Sequence, residues 1–322
     1  MTRTAASPPR SLSPSRAADF QQCPLLYRFR VIDKLPEAPS AAATRGTVVH
    51  AVLERVFDAP AEERSVPRAR ELVAPEWRRL LAKRPELAQL FGRSPAESAD
   101  GEAELDGAES DATGPDGAES DASALDEERL AAFLAEAERL VERWFSLEDP
   151  TRLEPAEREL FVEATLDSGL LLRGVIDRVD VAPSGEIRIV DYKTGKAPPA
   201  AYAGGALFQM KFYALVLWRL RGAVPRRLQL VYLGSGEVLT YDPTEEDLRG
   251  VERKVHALWD AIQRATESGD WRPRRGRLCD WCDHQARCPE FGGTPPPYPL
   301  QVRAPGLPEQ SAGASEPAVA RE

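Results

Sequence analysis

The sequence predicts an α/β fold, and three observations carry that reading. Strand-like runs near 158–166, 170–181 and 186–193 follow one another with turn signals between them. A further pair of strands is written in RLQLVYLGSGEVLTYD (227–242), where Gly-Ser-Gly makes the turn. Apolar residues at helical spacing flank both groups.

The elements follow in chain order. Residues 1–12 read as a disordered arm. Ser13 or Ser15 caps a short helix that stops near Cys23-Pro24, because the residue before proline avoids helical geometry. AAATRGTVVHAVLERVFD (41–58) is a helix with Val48, Val49, Val52 and Val56 along one side. VPRARELVAPEWRRLLAK (66–83) is helical with a break or bend at Pro75. LDEERLAAFLAEAERLVERWFSL (125–147) is amphipathic, with Leu130, Phe133, Leu134, Ala137, Val141 and Trp144 on its apolar side. GALFQMKFYALVLWRLRG (205–222) is apolar nearly all round, which predicts burial, and Thr244 caps a last long helix.

Between the helical start and the sheet, residues 92–125 form an acidic insertion that contains DGAESDA twice. Too few apolar groups stand there to offset ordering entropy, so the expectation is disorder. The domain reading is a helical part at 13–91, this insertion, a core at 126–291 and a disordered tail at 292–322. The net charge of −10 does not exclude a nucleic-acid partner: residues 95–126 hold eleven acids and no Lys or Arg, so the remainder stands at +1. WRPRRGR (271–277) is a local basic cluster whose Arg272, Arg274, Arg275 and Arg277 are candidates for phosphate contacts. No apolar run reaches the ~18 residues of a membrane span, and the N-terminal stretch lacks the apolar core of a secretory signal. A soluble, cytoplasmic protein with no membrane partner is the expectation.

The chemistry sits in GVIDRVDVAPSGEIRIVDYKTG (174–195). A hairpin symmetric about Ser184 pairs residues whose numbers sum to 368, so Asp177 faces Asp191. Lys193 shares the face of Asp191 by period-two geometry, and Asp180 falls on the face opposite Asp177. Facing carboxylates repel unless a proton or a divalent cation lies between them. Hard oxygen donors suit Mg²⁺ or Mn²⁺, and a neighbouring ammonium can orient water or offset charge on a phosphate. These are parts for metal-assisted phosphodiester hydrolysis. His50 is a candidate third ligand, Glu159 on the preceding strand a further one. Gln209 and Tyr213 share a helix face from which to touch DNA or hold the strand of Lys193.

Asp177 with Asp191-Tyr192-Lys193 resembles the PD-(D/E)xK nuclease signature, in the GVIDR…IVDYKTG form of RecB-like exonucleases. Gln209 and Tyr213 in QMKFY resemble that family's Q-x-x-x-Y motif, and Gly46 and His50 in GTVVH its G-x-x-x-H motif. The likeness covers most of 12–291 outside the insertion. It implies a restriction-endonuclease-like core, a central mixed sheet flanked by helices, and a DNA substrate. Asp177, Asp191, Lys193, Gln209 and Tyr213 would be catalytic, with the metal on His50, Asp177, Asp191 and the Tyr192 carbonyl.

Cys23, Cys279, Cys282 and Cys288 are the only cysteines, spaced C-x₂₅₅-C-x₂-C-x₅-C. In a cytosolic chain this reads as thiolate ligation rather than disulfides. Four thiolates suit zinc or an iron–sulfur cluster, and spacing alone does not separate them. The arrangement resembles the iron–sulfur branch of the RecB-like nucleases, including AddB-type subunits and CRISPR-associated exonucleases, which implies a [4Fe-4S] cluster joining the N- and C-terminal parts as a staple. His284 would then be spare. The functional expectation is a Mg²⁺- or Mn²⁺-dependent exodeoxyribonuclease acting at single-stranded ends in DNA repair or recombination. The competing readings are a noncatalytic DNA-binding or scaffolding subunit and a CRISPR-adaptation accessory. No G-x-x-x-x-G-K-[ST] occurs, so a helicase partner would be a separate chain.

Overall fold

The computed structural model describes residues 8–91, 116–199 and 204–300, with side chains at 116–125 left aside. The chain divides into two compact units. The larger holds Arg10–Ala18 and Pro36–Ala257; the smaller holds Asp19–Leu35 and the chain from Leu258.

The larger unit is built on a six-stranded mixed sheet. Strand β3 (Leu171–Val181) pairs along its length with antiparallel β2 (Glu157–Thr165). Its other edge is shared. A short parallel strand β1 (Ser11–Leu12) meets Leu171 and Leu172, and β4 (Ile187–Lys193) meets 178–181. Residues 173–177 of β3 lie between these partners, and the candidate site opens at this fork. Strand β5 (Arg227–Tyr232) runs parallel to β4, and β6 (Glu237–Tyr241) closes the sheet in antiparallel pairing. Ser11 and Leu12 are buried, so the end of the segment read as a loose arm is a strand.

The β3–β4 register is the one expected from the turn: Arg178 pairs Val190, Val179 pairs Ile189, and Asp180 pairs Arg188. Gly185 supplies the positive φ (87°) that the APSGE turn needs.

Helices of the larger unit cover both faces of the sheet. Helix α1 (Pro14–Gln22) starts where the Ser13 hydroxyl accepts the Arg16 amide, and α2 (Pro24–Tyr27) follows Cys23. Helix α3 (Ala41–Val56) is capped by Ser40. Its Val48, Val49, Val52 and Val56 pack in one core with Val190, Tyr192, Val231 and Trp144. The expected 66–83 helix is two, α4 (Val66–Glu71) and α5 (Val73–Lys83), and the break is at Leu72. Pro75 lies inside the first turn of α5, where a missing N–H costs nothing.

Helix α6 spans Asp116–Leu147, so it begins well before the expected residue 125 and takes up the second acidic repeat. The rest of the insertion, 92–115, lies outside the described residues. Helix α7 (Gly204–Arg221) lies on the face opposite α3: Gly174 of β3 abuts the Tyr213 ring, and a Cβ there would come within 2.6 Å of it. Helix α8 (Glu245–Ser268) has the expected Thr244 cap, reciprocated by Asp247.

The smaller unit is mostly short turns. Residues 292–300 begin the segment read as a disordered tail, yet the Tyr298 hydroxyl donates to the Thr266 carbonyl (2.8 Å) and Arg28 reaches the Pro296 carbonyl. Residues 301–322 lie outside the described residues. No helix among the described residues is long and apolar enough to cross a membrane.

Candidate active site

Asp177 lies at the end of the fork where β4 begins to pair with β3. Its carboxylate takes over from the backbone ladder, accepting the Tyr192 amide at 2.7 Å. The residues on either side of Tyr192 complete the group. Asp191 is almost fully buried, and its Oδ2 lies 2.6 Å from the Lys193 ammonium. Gln209 of α7 ties the set together: its Nε2 donates to Asp191 Oδ1 (3.0 Å) and to the Tyr213 hydroxyl (3.2 Å), while its Oε1 accepts from Lys193 Nζ (3.0 Å).

His50 reaches β4 from α3. Its Nε2 contacts the Tyr192 carbonyl at 2.9 Å, and its Nδ1 lies 3.5 Å from Asp177 Oδ2. Gly46, one turn before, lets α3 approach the sheet, with Thr194 Oγ1 3.4 Å from where a Cβ would stand. Glu159 comes in from β2 with a positive φ of 43°, an uncommon backbone geometry for a non-glycine residue. Ligand atoms of His50, Glu159 and Asp177 all lie within 4.8 Å of one another. A cleft of about 850 Å³ opens here, lined among others by His50, Glu54, Glu159, Lys193 and Lys196.

The electrostatics match this crowding of acids. Burial, and then the charge of Asp177, push the Glu159 carboxyl up to about 7. Burial followed by Asp177 likewise raises Asp191, against the pull of Lys193. Burial works against a proton on His50, but the hydrogen bond and charge of Asp177 outweigh it and the imidazole is raised. The upward shifts of His50 and Glu159 mark a place where positive charge is favoured, and a divalent cation competes for the same place. The donor set, two carboxylates and an imidazole beside a backbone carbonyl, suits Mg²⁺ or Mn²⁺. Asp191 Oδ2 is buried with the Lys193 ion pair as its one polar contact among the described residues, and it has a lone pair to spare.

Beneath the site runs a buried network that sequence reasoning passed over. Arg178 grips Glu148 through two hydrogen bonds (2.8 and 2.7 Å), the Tyr192 hydroxyl and Asp180. Gln229 and Trp144 also donate to Glu148, at 2.9 and 2.7 Å. Asp180 accepts from Arg188 at 2.8 Å. The legible signal is Arg178 itself, an arginine between strand residues that point inward.

In the smaller unit, Cys23, Cys279, Cys282 and Cys288 are free thiols lining one mainly apolar cavity of about 160 Å³. Burial raises the Cys282 and Cys288 thiols, and their neighbouring cysteines add to the effect. The sulfurs nevertheless stand apart. Four thiolates on one zinc at ~2.3 Å would be about 3.8 Å from each other. Among the described residues no three of them come within 4.8 Å of one another. His284 is buried against Phe29 and lines the same cavity. Of the basic cluster, Arg274 donates to the Gln21 carbonyl, Arg275 lies over the Phe291 ring and Arg272 pairs with Asp270.

A mixed sheet that sets two aspartates beside a cleft lined by a lysine, a histidine and a glutamate is the arrangement of a nuclease. The chain belongs to the PD-(D/E)XK nuclease superfamily, which matches residues 11–289. Curated relatives include the Gene 69 proteins of Mycobacterium phages L5 and D29. Each is 26% identical and aligns over 87% of this chain and 96% of the relative. Among solved structures, that of a proposed exonuclease from Eubacterium rectale is similar in fold. Its TM-score is 0.51 at 15% identity, and the match covers 85% of this chain and 88% of that one.

Proposed function

We propose that this protein is a divalent-metal-dependent exodeoxyribonuclease that hydrolyses phosphodiester bonds at single-stranded ends. The observation that carries the reading is a cleft lined by His50, Glu159 and Lys193, with Asp177 beside the first two and Asp191 paired to Lys193, the five residues coming from four separate elements. The preference for ends follows the resemblance to RecB-like exonucleases and the activity named for the Eubacterium rectale protein.

Asp177, Asp191, His50, Glu159 and the Tyr192 carbonyl are the groups that would hold the ion. When bound there, it supplies Lewis acidity and neutralises charge on the phosphate. The remaining work falls to the protein. Gln209 fixes Lys193 and Asp191 with one amide, so the ammonium keeps a set position beside the carboxylates. From there Lys193 orients the attacking water and offsets charge that grows on the phosphate oxygens. Tyr213 anchors Gln209 and rests on Gly174, which ties α7 to the fork.

The test is degradation of end-labelled single-stranded DNA with Mn²⁺ by wild type, Asp191→Ala and Lys193→Ala. Loss of cleavage in both variants, with unchanged thermal stability, is the expected result. Equal degradation by all three would refute the assignment.

The same reading extends to the cysteines as ligands of a [4Fe-4S] cluster. Its support is that all four thiols line one cavity, together with the resemblance of their spacing to the iron–sulfur branch of the RecB-like nucleases. Anaerobically purified protein should be brown, absorb broadly near about 400 nm and carry iron and sulfide. A colourless protein with stoichiometric zinc would overturn it.

A further inference from the structure

The ribbon of β2 and β3 continues outward from the candidate metal site, and its outer residues are not those of an ordinary sheet surface. Phe161 of β2 and Val175 of β3 are paired in register, and they are 59% and 40% exposed. Glu159 and Asp177 lie two residues along the same two strands, roughly 7 Å away at strand spacing. Gly174 meets Tyr213 of α7, so its neighbours Arg173 and Val175 point to the other face of the sheet. That is the face on which α3 delivers His50. Two residues beyond Val175 comes Arg173, opposite Glu163 in register. Arg173 makes no ion pair among the described residues.

A single exposed apolar side chain needs no explanation, but this is an aromatic ring on an aliphatic support, between a carboxylate cluster and an arginine. We propose that Phe161, backed by Val175, is a stacking platform for the nucleobase next to the scissile phosphate, and that Arg173 contacts the phosphate that follows. Every base has a π-face, so the platform takes single-stranded nucleic acid without regard to sequence. A paired base within a duplex has both faces covered by its neighbours, so the platform favours a frayed or single-stranded end. The proposal rests on the nuclease reading and names a subsite of that same cleft.

The experiment is equilibrium binding of a short oligothymidylate carrying one 2-aminopurine, scanned along the strand, to the full chain in an Asp191→Ala background. At one position Phe161 should quench the probe. Phe161→Ala should relieve the quench and weaken binding about tenfold, and Phe161→Trp should restore both. An abasic residue at that position should erase the difference in binding between the chain with Phe161 and the Phe161→Ala variant. Arg173→Ala should weaken binding and lower its salt dependence by about one phosphate contact. Equal binding of intact and abasic strands by the chain with Phe161, absence of any single-stranded binding, or a Phe161→Ala effect confined to oligomeric state would each overturn the subsite. Cleavage by the Asp191-intact chain is scored separately. Stacking without cleavage would refute the nuclease reading alone, and cleavage indifferent to Phe161 would refute the subsite alone.

Discussion

The fork of the sheet and the cysteine cavity solve the problem of holding reactive groups in opposite ways. At the fork, protein holds protein. Asp177 is fixed by the Tyr192 amide, Lys193 and Asp191 by Gln209, and Tyr192 from below by Arg178. In the cavity the thiols face one space, and backbone amides reach all four: Arg274 N to Cys23 Sγ and Gly276 N to Cys279 Sγ, each at 3.3 Å, His284 to Cys282 and Glu290 to Cys288. The surrounding chain is mostly short turns, with Leu25, Leu26 and Phe29 as its buried apolar anchors. The first region is preorganised by interlocking side chains; in the second, the thiols are met by backbone amides of short turns. Side-chain preorganisation of the first kind supports catalysis.

This contrast can be broken most forcefully at the fork. Asp191→Ala should lower the cleavage rate by about a thousandfold or more while the melting temperature stays near wild type, measured by end-labelled DNA and calorimetry. EDTA should have the same effect reversibly. A large fall in stability instead would mean that Asp191 serves the fold.

Next in size is the buried pair beneath the site. Arg178→Met should cost about 3–5 kcal/mol of unfolding free energy, because Glu148 is left charged and buried. The pair also sets a pH dependence. Burial opposes charge on Glu148, but Arg178 outweighs it and holds the carboxyl below its usual value of 4.5. That stabilisation is complete above the unfolded value and is lost as pH falls through the lower folded one. Urea titrations between about pH 3 and about pH 6 should therefore show wild type losing stability toward acid, and Glu148→Gln, which has no proton to gain there, following a flatter profile.

Cys282→Ser should leave the fork intact and loosen the smaller unit. Limited proteolysis should cut within 270–300 faster, with circular dichroism of the sheet little changed. Gly174→Ala should cost about 1–3 kcal/mol, since its Cβ would meet the Tyr213 ring at 2.6 Å. A loss of activity larger than its loss of stability would show that Tyr213 transmits position to Gln209. The smallest effect belongs to an exposed pair such as Arg70–Glu138, whose removal should change stability by less than about 1 kcal/mol.

Much of the site can be read from local rules. The turn at APSGE sets the hairpin register, and period-two alternation puts Lys193 beside Asp191. The spacing of Gln209 and Tyr213 puts both on one side of α7, where the structure joins them by a hydrogen bond. Glu159 is harder: its place in the cluster depends on a positive φ that no propensity announces for glutamate. Arg178 and Glu148 lie 30 residues apart and meet only once α6 packs on the sheet. Ser11 and Leu12 read as part of an arm because two residues carry no periodicity, and their strand exists only because β3 offers an edge.

By itself, then, the sequence determined the longer strands and helices, the hairpin register and which residues could share a face, since each follows from interactions between near neighbours. Tertiary structure decided which faces meet. It brought His50 from α3 and Glu159 from β2 to the same few ångströms around Asp177, and it placed Phe161 in solvent beside them. The contact of His50 with Tyr192 spans 142 residues, and the cost of closing such a loop is met by the whole core, which leaves no mark on any short stretch of chain.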